Sequence, residues 1–188
     1  MATDELVLGG GTAEAQAALL PFESFAGFRT TLRADLRANR GDVKSQLVLA
    51  GLRVCQFLMR SRARPRRRSL PAVILYRLAT EFVLGIELRP KTMVGPGLTI
   101  FHGTGLVVND HALIGSGVTL RNGVVIGHKR PGERAPFVRD GVDVGAAALI
   151  IGAVTVGRSA KVGAGAVVVR DVPDGDTVVG NPARSVRR

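Results

Sequence analysis

The sequence predicts a mainly β protein in which very short parallel strands wind into a coil, preceded by a small α-helical region. Two observations support this fold class: an aliphatic residue recurs every six positions, and glycine often follows it. From Ile114 to Val168 in steps of six, nine of the ten positions are aliphatic and only Gly132 is not. A period of six fits neither a long helix nor a hairpin sheet. Short strands joined by tight corners instead place one side chain per strand on a shared axis.

The glycines fit the corners of such a coil, because they adopt backbone angles that residues with a Cβ resist. They follow the aliphatic position at Gly95, Gly115, Gly127, Gly145, Gly157 and Gly163. Side chains three strands apart, 18 positions along the chain, are expected to stack. The predicted pairs are Ile126 with Val144 and Val144 with Val162.

The pattern is interrupted at two places, which predict insertions into the coil. The earlier positions of the six-residue period lie in a different phase: Leu88, Val94, Ile100 and Leu106. This change predicts a two-residue insertion between Leu106 and Ile114. The second interruption, residues 127–141, predicts an excursion out of the coil, where repeat proteins tend to carry function.

The predicted domain organisation has four parts. Residues 1–22 form a flexible leader, 23–85 an α-helical region with helical spacing of apolar residues, 86–182 the coil, and 183–188 a basic tail. The apolar stretch 70–86 contains Arg77 and Glu81 and is short for a bilayer span. We therefore expect it to be a core helix.

Charge and composition limit the partners. The net charge of +11 favours anionic partners, and arginines crowd the segment Arg60–Arg68. That segment is a candidate for peripheral membrane contact, whereas the lack of interleaved aromatic residues argues against nucleic-acid binding. The single cysteine, Cys55, excludes an internal disulfide and, with no secretory signal evident, favours a cytoplasmic location. Three scattered histidines without paired cysteines predict no metal site.

Four segments together resemble the hexapeptide-repeat acyltransferases of the serine O-acetyltransferase-like group, and within it the colanic-acid-type polysaccharide acetyltransferases. They are RADLRAN, LPAVILYRLATEFVLGIEL, GPGLTIFHGTGLVV and VGAGAVVVRDVPDGDTVVGNPAR. The resemblance implies a left-handed parallel β-helix, an exception to the usual handedness of parallel crossovers. It also implies acetyl-CoA as acyl donor and a homotrimer with sites shared between subunits.

The resemblance further implies catalytic residues. His102, in IFHGTG, matches the histidine that deprotonates the acceptor, and Glu87, fifteen positions earlier, matches the acidic residue that orients it. A carboxylate on one ring nitrogen fixes the tautomer and stabilises the imidazolium that forms. Since no serine occupies a nucleophile elbow, we expect direct transfer rather than an acyl-enzyme.

The residues implied for the substrates depart from the serine enzymes. In those enzymes an Asp precedes the histidine and an Arg-His pair helps to hold serine, whereas this chain has Phe101 and Arg134-Ala135. We therefore expect an acceptor larger than serine, such as a sugar, contacted by Phe101, His128 and Arg134. Amides near Gly127 are the expected oxyanion donors. The residues implied for acetyl-CoA are Gly127, Lys129, Ala146, Gly163, Ala164 and Arg184, with Arg187 and Arg188 as further phosphate candidates.

Two alternatives to a sugar O-acetyltransferase remain open. One is a serine O-acetyltransferase, or an enzyme acting on another small carboxylated acceptor, since Arg134 is retained. The lesser alternative is an N-acetyltransferase or a non-catalytic scaffold.

Overall fold

The computed structural model describes residues 24–60, 69–130 and 132–186. Its helices are α1 (Phe25–Ala38), α2 (Val43–Arg60) and α3 (Leu70–Arg77), which continues into a π-helical turn at Leu78–Val83. The predicted leader, the segment 61–68 and residues 187–188 lie outside the described residues.

Fifteen short strands follow the helices in the described part of the chain. They are β1 (Ile86–Leu88), β2 (Met93–Val94), β3 (Thr99–Phe101), β4 (Leu106–Val108), β5 (Leu113–Ile114), β6 (Thr119–Arg121), β7 (Val125–Gly127), β8 (Phe137–Val138), β9 (Asp143–Val144), β10 (Leu149–Ile151), β11 (Thr155–Val156), β12 (Lys161–Val162), β13 (Val167–Val168), β14 (Thr177–Val179) and β15 (Arg184–Ser185). The last of these lies within the segment expected to be a basic tail.

The strands form three sheets, A, B and C. From β1 to β13, successive strands belong to sheets A, B and C in rotation. Sheet A has the order β1-β4-β7-β10-β13, sheet B the order β2-β5-β8-β11, and sheet C the order β3-β6-β9-β12-β14-β15. All pairings are parallel except that of β14 with β15. The chain therefore winds through five turns of a coil, which confirms the predicted left-handed parallel β-helix.

Each sheet buries one column of aliphatic side chains along the axis. In sheet A this column is no more than 1% exposed and consists of Leu88, Val108, Ile126, Ile150 and Val168. The predicted stacking of Val144 on Val162 is confirmed by the pairing of β9 with β12. The predicted stacking of Ile126 on Val144 is wrong, because Ile126 pairs with Ile150. The excursion adds residues between β7 and β8, so the partner of Ile126 comes later in the chain.

The first insertion also lies elsewhere than predicted. Leu88 is in register with Val108, not with Leu106. The phase therefore changes between Ile100 and Val108, in the corner that follows β3. The period alone misplaced this corner because Leu106 and Val108 are both buried and both aliphatic.

The helices cover the open edge of the first coil turn. That edge presents unpaired backbone N–H and C=O groups. Asn39 donates to the carbonyl of Leu98 and accepts from the amide of Ile100, and the Tyr76 hydroxyl donates to the carbonyl of Leu88 at 2.8 Å. The helical region is thus the N-terminal cap of the solenoid.

The prediction of a core helix over 70–86 is wrong in one respect. Tyr76 and Thr80 are buried against the coil, but most apolar side chains of α3 and its π-helical turn face outward. Six of them are at least 49% exposed: Leu70, Ile74, Leu75, Leu78, Phe82 and Val83. Helix α3 and its π-helical turn contact only the first turn of the coil, so only a narrow face of the helix is buried. Among the described residues, no helix is both long and apolar enough to cross a bilayer.

Candidate active site

His102 lies on the corner between sheets C and A, where the coil carries its first insertion. Phe101 pairs with Arg121, and Val107 with Val125. Val107 thus follows Phe101 by six positions, whereas Val125 follows Arg121 by only four. The two additional residues build the corner that presents His102.

The backbone of this corner is strained and tightly packed. His102 has φ 59°, a left-handed conformation that is uncommon for a residue with a Cβ. The next residue, Gly103, has no room for a side chain, since a Cβ there would lie 2.7 Å from Cδ1 of Ile86. The corner therefore fixes the backbone from which the exposed imidazole projects at the edge of the coil.

The N-terminus of α2 lies over the same corner. Lys44 Nζ donates to Thr104 Oγ1 at 3.1 Å. Asp42 accepts from the amide and hydroxyl of Ser45, which lowers the pKa of its carboxyl, and the charge of His102 lowers it further. No sequence pattern predicted Asp42 as a neighbour of His102. Only the docking of α2 on the coil brings the two together.

Glu87 makes a different contact from the one implied. Its carboxylate accepts from Arg89 Nη2 at 2.8 Å, and Arg89 also contacts Glu81. Within the described part of the chain, the imidazole of His102 makes no hydrogen bond to Glu87 or to any other residue. The role of Glu87 as orienter stays a prediction.

The exposed ring of Phe101 lies directly beside His102 on sheet C. It is 46% exposed, and the guanidinium carbon of Arg121 lies 5.7 Å from its centroid. Arg121 Nη1 donates to the carboxylate of Asp143 and to the carbonyl of Val144. Arg121 was not predicted as a site residue, since its place beside Phe101 depends on strand register.

The residues implied for the donor fall into two groups in a single chain. The first group follows the edge between sheets C and A above His102. Ala146 and Ala164 lie on corners of successive coil turns. Gly163 directly follows β12 on the corner of Ala164, and Arg184 lies in β15 of sheet C. Within residues 24–60, 69–130 and 132–186, the backbone N–H groups of Ala146 and Ala164 have no partner, so this edge presents free donors.

The second group lies at the opposite end of the sheet A strands. Gly127 ends β7 and Lys129 follows in the excursion, where His128 and Arg134, the residues implied for the acceptor, also lie. Arg134 is exposed and donates from Nη2 to the carbonyl of Ala153 at 3.2 Å. One chain therefore keeps these residues and His102 on opposite edges of sheet A.

No cluster of three or more potential metal-ligating side chains occurs in the described part of the chain. The three histidines lie on different corners, so the geometry gathers no ligand set.

Comparison with known proteins shows which family the chain resembles in sequence. WcaB of Escherichia coli K12, a predicted colanic acid biosynthesis acetyltransferase, is 36% identical over 154 residues, 80% of this chain and 95% of WcaB. The chain belongs to the hexapeptide-repeat acyltransferases. Serine acetyltransferase 2 of Arabidopsis thaliana is 39% identical over 122 residues, but the match covers 64% of this chain and only 38% of that protein. No family model matches the chain.

A solved structure of this acyltransferase family has the same fold. The serine acetyltransferase in complex with CoA superposes with a TM-score of 0.72 at 27% identity, covering 93% of this chain and 73% of that one. The similarity extends over both the helices and the coil. It supports an acyltransferase, and neither comparison identifies the acceptor.

Proposed function

We propose that this protein is an acetyl-CoA-dependent O-acetyltransferase whose acceptor is a sugar or another hydroxyl compound larger than serine. The observation that carries the proposal is the exposed ring of Phe101 beside the exposed imidazole of His102. An aromatic face gives an extended contact surface for a large acceptor. The similarity to WcaB supports the same acceptor class, since WcaB is named for the biosynthesis of a polysaccharide.

In the proposed reaction His102 is the general base. Its imidazole accepts the proton of the acceptor hydroxyl while that oxygen attacks the thioester carbonyl. It then returns the proton to the sulfur as the C–S bond breaks and CoA leaves. The carboxylate of Asp42 favours the transient imidazolium electrostatically. We retain Glu87 as a candidate positioning residue, although its carboxylate is bound to Arg89.

Acetyl-CoA is the proposed donor. The free corner amides of Ala146 and Ala164 are suited to the amide carbonyls of a pantetheine chain. Strands in a sheet are about 4.8 Å apart, so Ala164, three coil turns above His102, lies about 14 Å from it along the axis. Arg184, beside Val179 at the top of this edge, is the proposed partner of the CoA phosphates. A structural relative solved with CoA supports the donor class.

A homotrimer is the assembly that this site needs. His102 and the second donor group lie on opposite edges of sheet A, so a groove containing both forms only between two subunits. Above Glu87 of β1, the outward face of sheet A is aliphatic and at least partly exposed. It presents Val107, Val125, Leu149, Ile151 and Val167, and Val169 follows just after β13. We propose that this face packs against another subunit, with amides near Gly127 serving as oxyanion donors. Light scattering on the purified protein should give three times the 19.8 kDa of one chain.

A membrane surface is the second partner that we propose. The arginine-rich segment Arg60–Arg68 directly precedes α3, whose outward face exposes Leu75, Phe82 and Val83. Basic segments next to apolar side chains favour anionic bilayers, and each arginine contributes about 1 kcal/mol near the surface. Sedimentation with vesicles containing phosphatidylglycerol should show binding that weakens steeply with salt. Equal binding to neutral vesicles would contradict this.

The acceptor experiment is thiol release from acetyl-CoA with hexoses, nucleotide sugars and L-serine. Burial raises the pKa of the Cys55 thiol to about 11, so this cysteine should not react with the thiol reagent. Turnover with sugars and not with serine would support the proposal. Turnover with serine alone would establish the alternative, a divergent serine acetyltransferase. Amino sugars offered in the same assay test the remaining alternative, because turnover with them alone would indicate N-acetylation.

A further inference from the structure

The surface beside His102 carries the guanidinium of Arg121, which forms hydrogen bonds to the described residues through only one of its three nitrogens. Arg121 is fixed through Nη1, which donates to Asp143 and, at 3.0 Å, to the carbonyl of Val144. Across the residues that the structure describes, Nε and Nη2 of Arg121 have no hydrogen-bond partner. The side chain is only partly exposed, at 33%. It is therefore held in one place while two of its nitrogens stay available.

The Nε–Nη2 edge of Arg121 lies where an acceptor would have to bind. Arg121 is the register partner of Phe101 in the next coil turn, so the two side chains are about 4.8 Å apart along the axis at the backbone. Phe101 in turn is followed directly by His102. A ligand lying on the Phe101 ring thus reaches the imidazole at one end and the guanidinium at the other.

The Nε–Nη2 edge of an arginine matches two oxygens of a phosphate or a carboxylate. We propose that Arg121 binds an anionic group of the acceptor, so that the acceptor is a sugar carrying a phosphate or a carboxylate. This inference rests on the proposed sugar O-acetylation and adds the charge of the substrate to it. Arg121 is then a specificity-determining residue, because it binds the anionic group. The acceptor lies against the ring of Phe101.

The charges around Arg121 allow two substitutions that should change anion binding in opposite directions. Asp143 partly neutralises the guanidinium, and its own register partner in the next turn is Lys161, which is exposed. The local balance is one carboxylate against two cations. Removing the carboxylate should strengthen anion binding, whereas removing the guanidinium should weaken it. A purely structural ion pair predicts that both changes have the same effect.

The experiment measures acetylation kinetics on matched acceptors. Glucose, galactose and mannose are each offered as the free sugar, the 1-phosphate and the uronate, which separates phosphate from carboxylate recognition. The variants are Arg121→Gln, Arg121→Lys and Asp143→Asn. The control is Arg158→Gln, because Arg158 also lies close to an aspartate, Asp140, but is more exposed than Arg121 and sits on a corner of the coil. Thermal unfolding verifies that each variant is folded.

We expect Arg121→Gln to raise KM for the anionic acceptors about 10- to 100-fold and to leave KM for neutral sugars unchanged. Arg121→Lys should give an intermediate value, since it keeps the charge and loses the planar fork. Asp143→Asn should lower KM for anionic acceptors about two- to fivefold, and Arg158→Gln should have no effect.

Two outcomes overturn the inference in distinguishable ways. If the wild-type protein acetylates neutral and anionic sugars with equal KM, or if Arg121→Gln affects both alike, the anionic acceptor is excluded while sugar acetylation stands. If no sugar of either kind is acetylated, the proposed function itself fails and the inference falls with it.

Discussion

Asp35 of α1 and Arg53 of α2 form an ion pair, with Nε and Oδ2 2.7 Å apart and both side chains fully buried. Each partner also bonds to the open edge of the first coil turn. Asp35 accepts from the amides of Gly97 and Leu98, and Arg53 donates to the carbonyls of Val94 and Gly95. A carboxylate therefore meets backbone donors and a guanidinium meets backbone acceptors. The pair joins the two helices to the solenoid and satisfies an edge that would otherwise be exposed.

Breaking this pair should destabilise the protein strongly. Asp35→Asn leaves Arg53 buried without its counter-charge, and we expect a loss of about 3–5 kcal/mol in the free energy of unfolding. Chemical denaturation monitored by circular dichroism measures it. The matched control is Asp140→Asn, whose partner Arg158 is exposed and whose loss should cost less than about 1 kcal/mol. Equal costs for the two variants would contradict the capping role.

Removing the imidazole should abolish most of the activity without unfolding the chain. His102→Asn is the suitable variant, since asparagine tolerates the left-handed backbone at φ 59°. The rate of acetyl transfer should fall on the order of 100- to 10,000-fold. Glu87→Gln tests the implied orienter in the same assay. A His102→Asn enzyme with wild-type kcat would exclude general-base catalysis by this residue.

Asp42 should contribute a pH-dependent stability. Hydrogen bonds from Ser45 lower the pKa of its carboxyl, so its contribution is fully present above the ordinary value of 3.8 and is lost as the pH falls through the lowered value. Asp42→Ala should cost about 1 kcal/mol at pH 7, because it removes the N-cap of α2.

Asp42→Asn separates the cap from the charge. Asparagine also caps helices well, so this variant should be nearly as stable as the wild type at pH 7 but lose less stability on acidification, because it lacks the contribution of the Asp42 carboxylate. Melting temperatures measured between pH 7 and pH 2 decide the matter. Parallel pH curves for Asp42→Asn and the wild type would contradict the assignment.

Gly127→Ala should separate donor binding from stability. Nothing lies within 4 Å of a Cβ built at Gly127, so the substitution should leave the melting temperature unchanged. In the proposed trimer the methyl group would enter the donor groove, so we expect KM for acetyl-CoA to rise severalfold. Gly145→Ala is the contrast, since its Cβ would overlap the backbone of Gly163 and Ala164 and should disrupt the coil. An unchanged KM in Gly127→Ala would place the donor elsewhere.

Much of the fold was predictable because the coil is periodic. Each strand repeats the same local requirement, one buried aliphatic residue followed by a tight corner, so the pattern from Ile114 to Val168 identified the solenoid without any knowledge of contacts. The prediction was wrong where the period is broken. It misplaced the insertion that carries His102, because Leu106 and Val108 are both buried and only the register with β1 distinguishes them.

Sequence patterns predicted the six-residue coil and the helical region before it, and short motifs gave the resemblance to acyltransferases that implies His102 as base. These follow from local repetition and from short runs of neighbouring residues. Only the folded arrangement shows which distant residues meet. It placed Asp42 near His102, put Arg121 in register with Phe101, and separated Gly127 from Ala146 by the length of the sheet A strands. Such relationships depend on strand register and helix docking, which are set by packing across the whole core rather than by the residues adjacent in sequence.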